Sequence, residues 1–137
     1  MNRVTVTPKP QESDHEPVFT VEAAEVDFHS IWNGLLRRWD MLREQSGTDA
    51  DPDEVDAVSD LADYFGPEAN VAEIRQTELS GKQLLGVAEA LLRAERDLAT
   101  SDSTTDQFLA MELAPLYQEL DQALAVHGMA TLSTKQG

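Results

Sequence analysis

Residues 18–44 read VFTVEAAEVDFHSIWNGLLRRWDMLRE, and the point inside them at which helical spacing takes over decides the fold. From about Val21 the apolar residues fall into a helical period. Phe28, Ile31, Trp32, Leu35, Trp39 and Leu42 recur at three- and four-residue steps, which lays one wide stripe along a single helix face. Thr20 stands as N-cap, Glu22 and Glu25 lie near the positive end of the helix dipole, and Arg37, Arg38 and Arg43 fall toward the other end. Gly47 supplies the stop. Both tryptophans lie on the stripe, so this helix is expected to nucleate the core. Upstream, Val18 to Val21 and the alternating Val4 and Val6 are short β-branched runs. A small hairpin between them is one reading. The proline-bearing polar composition of residues 1–17 favours the other, a coil tail.

Downstream, residues 44–74 hold ten acids and neither lysine nor arginine. Asp49, Asp51 and Asp53 occupy the first three ligand positions of a calcium loop, but the glycine such a loop needs is Glu54 and its closing glutamate is Asp60. A capped helix accounts for more of these residues, with Asp51 as N-cap, Pro52 at the first helical position and Glu54 closing a capping box. The helix is expected to run to Phe65 and stop at Gly66-Pro67. Val55, Val58, Leu61, Ala62 and Phe65 then face inward, and Asp53, Asp56, Asp60 and Asp63 form a carboxylate row with no i,i+4 base to relieve it.

A short helix is expected from Pro67 to about Thr77, with Val71, Ala72 and Ile74 as its apolar residues. Ser80-Gly81-Lys82-Gln83 is a capping box, and Leu84, Leu85, Ala88, Leu91, Leu92 and Leu98 mark the helix it opens, to about Ala99. The Ser/Thr/Asp run at 100–105 is short enough to make an antiparallel helix hairpin. The last helix carries Leu109, Leu113, Leu116, Leu120 and Ala123, with Pro115 expected to kink or restart it. His127 and Gly128 form its C-terminal cap.

Composition bounds the function. The chain has 137 residues, no cysteine and a net charge of −16. Thiolate metal sites, a disulfide framework and a cysteine nucleophile are excluded. Direct nucleic-acid binding and anionic membranes are disfavoured, since both need clustered Lys and Arg. No apolar run reaches the roughly 20 residues of a membrane span, and no export signal is expected, so the chain reads as cytoplasmic.

Few groups suit catalysis. His15, His29 and His127 fall in no metal or nucleophile motif. Glu22-x-x-Glu25 and Asp60-x-x-Asp63, if carried on facing helices, could hold Mg²⁺ for nucleotide hydrolysis. That arrangement loosely resembles the all-α nucleotide pyrophosphatases, in which carboxylate pairs on facing helices bind the metal. The second pair here is all aspartate, and no basic cluster is placed to receive phosphates. DNA mimicry meets a limit of density: Asp53 to Asp63 spans about 15 Å of helix, over which duplex DNA shows about nine charges against five acids here. It would need a second acidic rank, from Glu68, Glu73 and the 49–51 loop. Adaptation to high salt predicts acids spread over the whole surface, whereas ten of 26 fall within 31 residues.

The expectation is an all-α fold, a small bundle of four to five helices over residues 21–127, with disordered tails at 1–20 and 128–137. Its function is expected to be non-enzymatic and cofactor-free, with Asp49, Asp51, Asp53, Asp56, Asp60, Asp63, Glu68 and Glu73 presented to a basic protein surface, as in an inhibitor or DNA mimic. A Mg-dependent hydrolase and a structural or assembly subunit, including a homo-oligomer, are the alternatives.

Overall fold

A computed structural model describes residues 3–9, 18–44, 52–66 and 73–128. Its elements are β1 (Val4–Pro8), β2 (Val18–Ala24), α1 (Glu25–Glu44), α2 (Pro52–Asp63), β3 (Ile74–Ser80), α3 (Gly81–Ala99) and α4 (Thr104–Val126). The strands form one antiparallel sheet in the order β1-β2-β3. The fold is therefore not all-α. It is α+β, four helices with a three-stranded sheet, and α1, α3 and α4 pack on the sheet.

The correction turns on residues 18–24. Phe19, Val21 and Ala23 are buried and alternate with the half-exposed Thr20, Glu22 and Ala24. That is the two-residue period of a strand with one wet face. The helix begins only at Glu25, directly after the strand, so Thr20 is not its cap. β1 pairs alongside, Val4 opposite Ala23 and Val6 opposite Val21, so a stretch expected as tail is an edge strand. On the other side Ile74–Ser80 pairs with the whole of β2, where a short helix was expected to reach Thr77. The 67–72 part of that helix lies outside the described residues. The outer face of the sheet is polar: Thr5, Glu22 and Gln76 make one cross-strand row, Thr7, Thr20 and Glu78 lie nearby, and Lys9 reaches Glu78 at 2.7 Å.

The helical expectations hold over most of the chain. Phe28, Ile31, Leu35 and Leu42 of the α1 stripe are buried, while Trp32 and Trp39 sit half-buried at the rim rather than at the centre. At Gly34 α1 approaches the α3–α4 pair closely, since a Cβ there would stand 2.5 Å from Leu91 Cδ2 and 2.9 Å from Leu113 Cδ2. The Ser80 box closes as its sequence indicates: Ser80 Oγ accepts from the Gln83 amide at 3.1 Å, and Gln83 Oε1 accepts from the Ser80 amide at 2.9 Å. α4 runs through Pro115 without restarting, capped by Ser103 at its start and His127 at its end. Gly128 follows with φ +72°, the left-handed conformation that favours glycine.

Candidate interaction surface

α2 buries one face and exposes the other. Val58, Leu61 and Ala62 are buried, Val55 is half-buried, and the chain just past the helix seats Phe65 against Phe28 of α1, ring centroids 5.1 Å apart. These are the residues whose spacing marked the inward face. Their burial fixes the rotation of the helix about its axis, and so turns Asp53, Asp56, Asp60 and Asp63 outward, where all four are exposed. At 1.5 Å per residue the row is about 15 Å long. Among the described residues no base pairs with Asp56, Asp60 or Asp63.

Glu54 behaves differently from its neighbours. Its Oε1 accepts from Arg38 Nη2 of α1 at 3.0 Å, and the Arg38 side chain is only 10% exposed. A base that α2 itself does not supply thus reaches Glu54, beside the row, from the adjoining helix. Glu73 is exposed but stands at the entry to β3 and not on α2; its carbonyl accepts the Glu25 amide at 3.1 Å. Asp49, Asp51 and Glu68 lie outside the described residues, as does the Asp51 cap. Of the eight expected residues, four form one continuous surface.

The carboxylate pairs considered for magnesium are not assembled. Glu22 lies on β2, where its Oε2 accepts from Gln76 Nε2, and Glu25 opens α1 with its Oε2 3.4 Å from Arg75 Nε. The first pair thus straddles a strand–helix junction and does not share a helix face. Asp60 and Asp63 point to solvent from α2. Among the described residues no three His, Cys, Asp or Glu side chains gather closely enough to hold a metal ion, and no helix is long and apolar enough to cross a membrane.

A groove of about 460 Å³ lies between α2 and α3, lined by Arg38, Asp53, Glu54, Ala57, Val58, Leu61, Gly86, Glu89 and Ala90. It arises from small residues on two helices some thirty positions apart, which no local spacing announces. No protein-family model, curated protein or solved structure matches the chain.

Proposed function

We propose that this protein is a non-enzymatic interaction module that presents the acidic face of α2 to a basic protein surface. The supporting observation is the fixed, outward and unrelieved row of Asp56, Asp60 and Asp63, continued by Asp53, on a helix whose opposite side is anchored in the core. Like charges at this spacing cost a few tenths of a kcal/mol per pair. A helix held only for stability would gain from a lysine among them. A row of this kind attracts a positive surface across a Debye length of about 10 Å, speeding encounter and disfavouring acidic partners. Mimicry of duplex DNA would require further acids beside the row, and Glu73 does not stand on that helix.

The test is to change Asp53, Asp56, Asp60 and Asp63 to asparagine together. The variant should fold with an unchanged circular dichroism spectrum and a slightly higher unfolding midpoint. Its affinity for the basic partner captured from the native host at low salt should fall by about tenfold or more. Undiminished low-salt affinity would sink the reading. A second reading, an assembly subunit, is favoured by Phe108 and Met111, exposed side by side on α4 at 64% and 71%. Self-association by sedimentation that persists in high salt would support it.

A further inference from the structure

The outer face of α4 differs from that of every other helix. Nine residues of α4 are exposed, from Thr104 to Val126, and none carries a charge. Each of the other three helices exposes at least two charged side chains: Asp40 and Arg43 on α1, the aspartate row on α2, Lys82 and Arg93 on α3. The acids that α4 does hold are half-buried and turned away from that face. Glu112 takes Arg3 at 2.8 Å, Glu119 Oε1 accepts from the Val4 amide at 3.2 Å, and Asp106 Oδ2 accepts from Ser101 Oγ at 2.8 Å. In a chain with 26 acids, this helix keeps its charges engaged within its own fold and shows water an uncharged side. Phe108 and Met111 stand on the first half of that side, and Val126 at its end is 74% exposed.

We propose that this face pairs with the same face of a second copy of the chain, the two α4 helices antiparallel about a two-fold axis at Pro115. This rests on the assembly reading and not on the acidic-face function. Charge selects the occupant. Two chains of net charge −16 repel wherever their acids meet, so a second copy approaches most easily on a face without them. A basic partner finds no exposed carboxylate here to answer its lysines and arginines. Glutamine amides carry both donor and acceptor, so Gln107, Gln118 and Gln122 can bond their own kind across a two-fold, where one patch must complement itself. Pro115 is the midpoint of the helix, which runs from Thr104 to Val126. Antiparallel pairing about it lays Phe108 against Gln122, Met111 beside Gln118 and Thr104 beside Val126, and it sets the helix dipoles in opposition. The strip is about 33 Å long and about 10 Å across. That is near the low end of interface size, so the dimer is weak and gains when salt screens the repulsion.

The experiment is sedimentation of the full chain from about 10 µM to about 1 mM, in about 50 mM and about 500 mM NaCl. Wild type should pass from monomer to dimer, with a dissociation constant about tenfold lower at the higher salt. That is the reverse of the salt response expected of the acidic face, so either can fail without the other. Met111→Glu adds a like charge from an exposed position and should weaken the dimer by about tenfold or more. Ser59→Glu adds the same charge at an exposed position of α2 and should leave the dimer as strong as wild type. Met111→Glu/Gln118→Lys should recover most of the loss, because the two positions adjoin across the antiparallel pair. A wild type that stays monomeric throughout would overturn both the pairing and the assembly reading. A dimer indifferent to Met111→Glu, or weakened equally by Ser59→Glu, would overturn the α4 face and leave assembly standing. No recovery in the double variant would overturn the antiparallel arrangement. Flotation of a monomer with phosphatidylcholine vesicles would assign the face to a lipid surface and overturn self-pairing.

Discussion

Arg75 carries its charge into the core with 5% of its side chain exposed. Its guanidinium carbon lies 4.7 Å from the centre of the Phe28 ring, Nη1 donates to the Phe65 carbonyl at 3.4 Å, and Nε stands 3.4 Å from Glu25. It thus fastens β3 to the start of α1 and to the turn after α2. Arg75→Ala should cost about 3 kcal/mol by urea denaturation, from lost packing, the unsatisfied carbonyl and the orphaned carboxylate. Arg75→Met keeps the stem and should cost less. Asp27 offers a test by pH. Burial raises its carboxyl above the ordinary range, with Arg3 opposing and Glu112 and Glu119 adding to the rise. A folded value above the unfolded one means the native state binds that proton more tightly. Stability is therefore lost as pH climbs from the unfolded value through the folded one, and the charged form is a burden at neutral pH. Asp27→Asn should raise the urea midpoint at pH 7, with a gain that shrinks as pH falls through the carboxylate range.

At the scale of elements, the helices announce themselves and the strands do not. α3 is legible because its box residues and its leucines agree on one start and one face. Ser80→Ala should cost about 1 kcal/mol, and Ser80→Thr should recover most of it, both read from denaturation midpoints. β2 is hidden because Val18 to Val21 runs straight into Glu22-Ala23-Ala24-Glu25, whose residues favour helix, so the period of two blurs into the period of α1. β3 is hidden for another reason. Its inward positions are Arg75, Thr77 and Leu79, and a buried arginine does not read as a core residue. The carboxylate row was legible because its side of α2 follows from the apolar side. The groove was not, because Ala57, Gly86 and Ala90 mean nothing until tertiary packing brings them face to face.

For the whole molecule, the net charge of −16 outweighs the scattered surface pairs. Pairs such as Arg3–Glu112, 41% exposed on both sides, contribute little and are screened by salt. Self-repulsion of the compact state is screened as well, and with 26 acids against ten bases it is expected to be the larger effect. Raising NaCl from about 20 mM to about 500 mM, where the Debye length falls to a few ångströms, should therefore raise the thermal midpoint. A midpoint that falls would show that the ion pairs dominate. On the proposed acidic-face function, the same salt that stabilises the fold should weaken capture of a basic partner, so stability and binding are expected to move in opposite directions.

The contact of β1 with α4 fixes when the fold can finish. Arg3 bonds Glu112 across 109 positions at 2.8 Å, and the Val4 amide donates to Glu119 across 115 positions at 3.2 Å. At ribosomal speeds of roughly 5–20 residues per second, on the order of ten seconds separate the making of Val4 from that of Glu119. Throughout that interval the first strand has no α4 to close against, and Phe19, Val21 and Ala23 wait beside it without their full cover. Closure of the native contact map is thus a late event in the birth of the chain, set by the translation of α4 and not by the appearance of the sheet.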